Sequence, residues 1–140
     1  MTVAQSNLLR EIPSRVDSSR TLGIIESNKV GPEHLQAIKD LTQFNDEEIS
    51  DWLDISAKTY RLYKKPHSAI KARIKEHTVM ALSLIKHGME VFGNAEEFSK
   101  WLVKENFYFD KKAPIDFMNT GSGIKFIDDR LTALEYGDNA

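Results

Sequence analysis

The sequence predicts an all-α protein in which a helix-turn-helix domain is joined by a long central helix to a small helical C-terminal domain. Three observations support this prediction. Apolar residues recur at helical spacing in several separate stretches of the 140-residue chain. Residues with short polar side chains stand immediately before several of these stretches, where helix N-caps are expected. Glycine and proline lie between the stretches, where the chain has to turn.

The first 30 residues are weakly patterned, and we expect a partly flexible N-terminal arm there. A small apolar cluster at residues 8–12 precedes Pro13. Residues 22–25 contain further apolar side chains and could form a short strand or a docking segment. The expected organisation is an arm at residues 1–30, the helix-turn-helix domain with its connecting helix at 31–90, and the C-terminal domain at 91–140.

Three short helices are predicted at the start of the second region. Gly31-Pro32 begins one of them, since proline suits the first helical position. Asn45 begins the next, and Glu48 at its third position completes a capping box. Ser56 is the expected N-cap of the third helix. A tight turn between the second and third helices is the helix-turn-helix pattern.

Charge is segregated along this region, although the net charge of the chain is only −2. Seven basic residues and no acidic residue lie between Asp54 and Glu76, and the acidic residues of the region precede them. Such an arrangement would place one positive face against the phosphates of DNA. The candidate DNA-contacting residues are Ser56, Lys58, Thr59, Arg61, Lys64 and Lys65. The same pattern is also compatible with the solvated surface of an ordinary helical bundle.

Within the third helix, the side chains are expected to divide between the domain core and a DNA groove. Tyr60 and Tyr63 are three residues apart and are expected to pack on the core. Thr59 and Arg61 could then meet base edges in a major groove, because arginine can pair bidentately with guanine. The two lysines that follow are better placed for phosphate contacts.

A long helix is predicted from Ser68 to about Val91. Its middle is apolar almost all round, and a helix of that kind must be covered on every side. We therefore expect the basic domain on one side of this helix. On the other side we expect the C-terminal domain or a second copy of the chain. Gly88 or Gly93 could mark the end of the helix.

The C-terminal region is predicted to contain short helices separated by turns. Asn94 caps the first of them, and a loop with three aromatic residues follows at 104–112. Pro114 begins a short helix, and Asn119-Thr120 end that helix and cap the last one. The last helix is amphipathic. Its outer face is expected to carry the acidic residues Asp128, Asp129, Glu135 and Asp138.

Nothing in the sequence indicates an enzyme, a metal centre or a bound cofactor. The chain has no cysteine, which excludes thiolate ligands and disulfides and fits a cytoplasmic location. Its four histidines are scattered, without the spacing of metal ligands. No phosphate-binding loop, dinucleotide fingerprint or nucleophile elbow is present. The longest apolar run is far too short to cross a membrane, so no membrane partner is expected.

A series of short motifs follows in order over about 45 residues of the C-terminal region. These motifs are Phe92-Gly93, Trp101-Leu102, Ala113-Pro114-Ile115-Asp116, Asn119-Thr120, Gly123, Ile127, Leu131 and Glu135-Tyr136-Gly137. Their order and spacing resemble the toxin-binding domain of the Xre/MbcA/ParS antitoxin family. Residues 44–64 also resemble the Xre-like helix-turn-helix that precedes this domain in the family. One departure is Asp110-Lys111, where small or glycine residues are expected.

The resemblance implies an antitoxin that is encoded beside a toxin. The usual partner is a RES-domain toxin, an enzyme that degrades or phosphorolyses NAD, and the antitoxin blocks access to its active site. In many members the helix-turn-helix also binds operator DNA and represses the operon. Family members commonly self-associate, so a homodimer within a larger toxin–antitoxin complex is expected, and the long apolar helix would suit that role.

By the same resemblance, the toxin-contacting surface is the turn from Pro114 to Gly123 together with the last helix. The candidate toxin-binding residues are Asn119, Thr120, Asp128, Asp129, Glu135, Tyr136 and Asp138, with the terminal carboxylate. Exposed carboxylates could occupy a phosphate subsite in a basic NAD-binding cleft. For most of these residues the alternative is a structural role in caps, turns and core packing. Two other functions stay open: a helix-turn-helix transcriptional regulator without a toxin partner, and a toxin-binding protein that has lost DNA binding.

Overall fold

A computed structural model describes residues 2–138, and this part of the chain contains helices and no strand, which confirms the all-α prediction. The α-helices are α1 (Val3–Arg10), α2 (Ser18–Glu26), α3 (Pro32–Thr42), α4 (Asp46–Leu53), α5 (Ala57–Tyr63), α6 (Ala72–Phe92), α7 (Ala95–Val103) and α8 (Gly121–Glu135). Two 3₁₀-helices, Phe107–Phe109 and Pro114–Phe117, lie between α7 and α8.

Helix α6 is the centre of the structure. It contacts α2, α3, α4, α7 and α8, and apolar side chains along it are fully buried, among them Ile74, Leu82 and Ile85. Helices of the same chain therefore surround α6 and cover its apolar side chains. Most apolar side chains of α6 are buried within the chain, whereas Met80, Met89, Val91 and Phe92 are partly buried, and self-association through α6 stays a prediction.

Helix α6 begins four residues later than predicted, at Ala72 instead of Ser68. The Ser68 hydroxyl donates to the carbonyl oxygens of Leu62 and Lys65, at 2.7 and 2.6 Å, and so closes the turn that follows α5. Hydroxyl bonds of this kind compete with helix formation. The helix ends as expected at Gly93, whose φ of 92° lies in the left-handed region.

The N-terminal arm packs on the rest of the chain through α1, α2 and the segment between them. Leu9, Ile12 and Val16 are part of the hydrophobic core. The Lys86 ammonium on α6 donates to the carbonyl oxygens of Leu9 and Ile12, both at 2.8 Å. Residues 22–25 lie in α2, so the strand considered for them is wrong.

Three N-caps predicted from the sequence are present. The side chains of Asn45, Ser56 and Asn94 accept hydrogen bonds from backbone amides three residues later, at 2.8, 3.0 and 2.8 Å. The Glu48 carboxylate in turn accepts a hydrogen bond from the backbone amide of Asn45, and this completes the expected capping box. These local contacts set the starts of α4, α5 and α7.

Candidate functional site

Helices α3, α4 and α5 form the three-helix arrangement expected around the tight turn. Asp54 ends α4 in the left-handed conformation, with φ 56°, and turns the chain into α5. Tyr60 packs on the core as predicted, and its hydroxyl donates to the Leu35 carbonyl at 2.9 Å. Burial raises the pKa of the Tyr60 phenol. Tyr63 is half-buried and packs against the same core.

The candidate DNA-contacting residues do not share one environment. Lys58, Arg61 and Lys65 are exposed, whereas Lys64 is half-buried. The Ser56 hydroxyl accepts from the Thr59 amide at 3.0 Å and donates to the Thr59 hydroxyl at 2.9 Å. These two polar groups are therefore occupied with each other.

Two of the candidates are bound to acidic residues of α4. Arg61 donates to Asp46 at 2.9 Å and to Glu47 at 3.0 Å, and Lys64 donates to Asp46 at 3.3 Å. The charge segregation read along the sequence is therefore not preserved in space. The physical reason is the tight turn, which folds α5 back against α4 and brings the two charge runs together.

Asp46 is the centre of this contact, and we call Asp46, Lys39, Arg61 and Lys64 the Asp46 cluster. Lys39 on α3 donates to the same carboxylate at 2.8 Å. The hydrogen bond from Lys39, with those from Arg61 and Lys64, holds the pKa of the Asp46 carboxyl well below its usual range. One carboxylate thus connects three helices.

Five of the seven basic residues between Asp54 and Glu76 have no acidic partner in the described part of the chain. One of them, Lys75, is half-buried and donates to Asn28 at 3.1 Å. The other four are Lys58, Lys65, Lys71 and Arg73, and all are exposed. The positive surface available to an anion therefore differs from the predicted one: Arg61 and Lys64 are engaged, while Lys71 and Arg73 at the start of α6 are free of ion pairs.

In the C-terminal region, α7 and α8 pack on α6, and the second 3₁₀-helix packs on α7 and α8. Aromatic side chains fill the space between them. Phe98, Trp101 and Phe109 are buried, with ring centroids 6.1 Å apart for Phe98–Trp101 and 5.9 Å apart for Trp101–Phe109. Phe126 on α8 completes this packing at 5.2 Å from Phe109.

The turn before α8 explains several of the quoted motif residues. Asp116 accepts from the Ala113 amide at 3.1 Å, and the Thr120 hydroxyl accepts from the Gly123 amide at 2.9 Å as the N-cap of α8. A Cβ built on Gly123 would overlap the carbonyl oxygen of Phe117, so only glycine fits there without a shift of the backbone. Asn119 is exposed.

The outer face of α8 carries fewer free acids than predicted. Asp128 was expected to be exposed, and this is wrong: it is only 2% exposed, because it lies on the stripe of α8 that faces α6. Asp129 is exposed and pairs with Lys125 at 2.6 Å. Asp138 pairs with Arg130 at 3.1 Å, and Tyr136 is 87% exposed. The terminal carboxylate lies outside the described residues.

A buried polar contact joins α6 to α8, and sequence reasoning did not find it. The two ring nitrogens of His87, which is fully buried, face two carboxylates: Nδ1 lies 2.6 Å from Asp128, and Nε2 forms a short contact with Glu135. An imidazole donates from both nitrogens only in its protonated form, so this geometry suits an imidazolium between two acids. The available signal was spacing, since residues 128 and 135 continue the buried stripe of Ile124 and Leu131.

Residues of the N-terminal arm also donate hydrogen bonds to the two carboxylates that face His87. Arg15 donates to Glu135 at 2.6 Å and to Glu90 at 3.2 Å. The backbone amide of Val16 donates to Asp128 at 3.2 Å. We call His87, Asp128, Glu135 and Arg15 the His87 cluster. Glu135, a predicted toxin-binding residue, is thus engaged on both of its carboxylate oxygens.

Asp110-Lys111, where the sequence departs from the family pattern, also has an unusual backbone conformation. Both residues have positive φ, at 55° and 63°, in the left-handed region that favours glycine. This is the place where the resemblance leads one to expect small or glycine residues. The turn is nevertheless closed by hydrogen bonds between Asn106 and the backbone of residues 108–112.

The comparison with protein families gives one match, and it covers this region. Residues 87–137 match the family described as antitoxin Xre/MbcA/ParS C-terminal toxin-binding domain. No curated protein matches the chain. None of the helices among residues 2–138 combines the length and the apolar character needed to cross a membrane. The matched span runs from the last turns of α6 to the end of α8, and this part of the chain has the sequence features of the toxin-binding domain of the Xre/MbcA/ParS antitoxin family.

Proposed function

We propose that this chain is the antitoxin of a type II toxin–antitoxin system. It neutralises a RES-domain toxin that consumes NAD, and it does so by covering the active site of that toxin. The observation that carries the proposal is the match of residues 87–137 to a toxin-binding domain. The chain acts in this account as a binding protein and not as an enzyme.

The proposed contact surface is the turn from Pro114 to Gly123 with the outer face of α8. Asn119, Asp129, Tyr136 and Asp138 are exposed and are placed to reach a partner. Carboxylates there can take the place of phosphate in a basic cleft. Asp128 and Glu135 act instead through the His87 cluster, by holding α8 on α6. Thr120 acts as the cap of α8.

The test is co-expression with the product of the adjacent gene, followed by affinity purification and an NAD assay on the cells. We expect a stable complex, NAD loss when the neighbour is expressed alone, and normal NAD when both are present. A chain with Asp129→Lys and Tyr136→Ala is expected to bind less of the neighbour. A neighbour that neither binds nor depletes NAD contradicts the proposal.

We further propose that the chain binds operator DNA and represses its own operon. The turn between α4 and α5 supports this, as do the four exposed basic residues that have no acidic partner in the described region. Replacing Lys58 and Lys65 with glutamate tests the proposal and leaves the Asp46 cluster intact. In a band-shift titration we expect weaker operator binding and a salt dependence reduced by about one unit of slope for each lost phosphate contact.

Equal operator affinity for the wild type and this variant would contradict the proposed DNA surface. A homodimer within the larger complex is proposed as well, and light scattering of the free chain and of the complex measures its mass. If operator binding is retained and no toxin is found, the chain is a helix-turn-helix transcriptional regulator without a toxin partner.

A further inference from the structure

A loop in the matched region displays aromatic side chains to solvent. Phe107 is 82% exposed, and the neighbouring Tyr108 is also exposed. Five of the eight exposed large apolar side chains among the described residues lie within 87–137: Val103, Phe107, Tyr108, Phe126 and Tyr136. Exposed apolar side chains that form a continuous patch mark interaction sites more often than scattered ones do.

The loop is held in one conformation by its own backbone. Asn106 accepts from the Tyr108 amide through its side chain at 3.0 Å and from the Phe109 and Lys111 amides through its carbonyl at 3.0 and 3.1 Å. Phe109 is buried and anchors the loop in the aromatic core. A rigid loop of this kind presents Phe107 with little entropy left to lose on binding.

Holding the loop in place requires backbone strain. Asp110 and Lys111 both adopt positive φ, a conformation that costs free energy for residues other than glycine. Strained conformations of this type cluster at binding sites, where the rest of the structure stabilises them. The strain is therefore an observation independent of the exposed rings.

The rings form one surface with the end of the chain. Phe107 and Tyr108 meet edge to face at 5.7 Å, and the Arg130 guanidinium lies over the Tyr108 ring at 3.4 Å. Arg130 also donates to Asp138 at 3.1 Å. Phe126 lies one turn before Arg130 on α8. We call Phe107 and Tyr108 the aromatic patch, and Arg130, which contacts both Tyr108 and Asp138, joins it to the proposed toxin-contacting surface.

We propose that the aromatic patch is a second anchor for the toxin, separate from the acidic residues that cover its active site. Its occupant is a concave apolar pocket on the toxin, outside the NAD cleft, into which the Phe107 ring inserts. The inference rests on the proposed function. Continuity with the toxin-contacting surface favours the toxin over a second copy of this chain as the occupant.

Charge sharpens this assignment. The loop carries three exposed lysines and two exposed acids, Lys104, Lys111, Lys112, Glu105 and Asp110, so its net charge is close to zero. Contacts made by Asp129 and Asp138 with a basic cleft are weakened by salt, whereas the burial of a phenyl ring is not. The two parts of the interface therefore differ in salt dependence.

The experiment measures the affinity of the purified adjacent-gene product for the full-length chain and its variants. Phe107 contacts no buried ring, so Phe107→Ala leaves the core intact. We expect this substitution to raise the Kd at least tenfold, and Phe107→Ala with Tyr108→Ala to raise it roughly thirtyfold, as for an interface hot spot. The factor should be the same at low and at high salt.

A control variant accompanies the measurement. Leu22→Ala truncates an exposed apolar side chain on α2, far along the chain from the patch, and is expected to bind the toxin like the wild type. Thermal melting of each variant verifies that the fold is retained.

Three results would overturn the inference. If Phe107→Ala binds the toxin like the wild type, the patch is no anchor, while the proposed function stands. If Phe107→Ala instead lowers the mass of the free chain in light scattering, the patch joins copies of this chain. If the wild type binds no adjacent-gene product, the proposed function fails, and the inference fails with it.

Discussion

The Asp46 cluster and the His87 cluster combine similar groups in opposite proportions. In the first, one carboxylate between α3, α4 and α5 receives hydrogen bonds from three cations. In the second, one imidazole between α6 and α8 faces two carboxylates. The Asp46 carboxylate keeps partners that reach into solvent, since Arg61 is exposed, whereas His87 is fully buried.

This difference decides how much each cluster matters. An ion pair in contact with water is screened and contributes little, because water solvates either partner when the other is removed. In a buried cluster, the removal of one partner leaves an uncompensated charge in a medium of low dielectric. We therefore expect the His87 cluster to control the stability of the matched C-terminal region and the Asp46 cluster to make a smaller contribution to the packing of α3, α4 and α5.

The largest effect is expected for His87→Leu. The substitution leaves the buried Asp128 carboxylate without its His87 partner, and the free energy of unfolding should fall by about 3–5 kcal/mol. Urea denaturation followed by circular dichroism measures it. Lys58→Leu, an exposed lysine without an acidic partner in the described chain, is the control and should change stability little. A loss below about 1 kcal/mol for His87→Leu would contradict the special role of burial.

Asp128→Asn should have the next largest effect and should lower the free energy of unfolding by about 1–3 kcal/mol. The amide keeps the shape of the carboxylate but removes one negative charge beside His87 and weakens the hydrogen bond from the Val16 amide. Asp129→Asn on the same helix is the matched control, because Asp129 is exposed. Equal unfolding energies for the two variants in urea would show that burial does not distinguish them.

Asp46→Asn is expected to lower the free energy of unfolding by about 1 kcal/mol, because solvent screens the ion pairs of the Asp46 carboxylate. Its effect should depend on pH. Because folding lowers the pKa of this carboxyl, its contribution is present above the unfolded pKa of about 3.9 and is lost as the pH falls below it. As the pH falls from about 5 into the acid range, the free energy of unfolding should therefore decrease more for the wild type than for Asp46→Asn. Parallel pH curves from urea melts would contradict this.

The smallest effect is expected for Arg15→Ala. Arg15 belongs to the His87 cluster but is exposed, so its ion pairs with Glu90 and Glu135 should contribute less than about 1 kcal/mol and should weaken with salt. Thermal melts at low and high salt measure both features. A loss as large as that of His87→Leu would show that membership in the cluster matters more than burial.

The candidate site was predictable to the extent that it depends on local sequence. The caps at Asn45, Ser56 and Asn94 and the turn before Gly123 were identified correctly, because each depends on residues a few positions apart. Sequence reasoning placed Asp128 on the solvent face, although its spacing from Ile124 and Leu131 puts it on the buried stripe. The rule that charged residues stay outside failed here because His87, from a distant helix, and the Val16 amide supply hydrogen-bond partners for the buried carboxylate.

The sequence by itself determined the helical class, the order of the helices from α3 onward and the family that the C-terminal region resembles, because periodicity, caps and motif order are properties of short stretches. Only the tertiary structure decided which charges are free. The tight turn at Asp54 pairs Arg61 with Asp46, and the packing of α8 on α6 buries Asp128 beside His87. Electrostatic roles depend on distance and burial in space, and neither quantity is contained in the separation of residues along the chain.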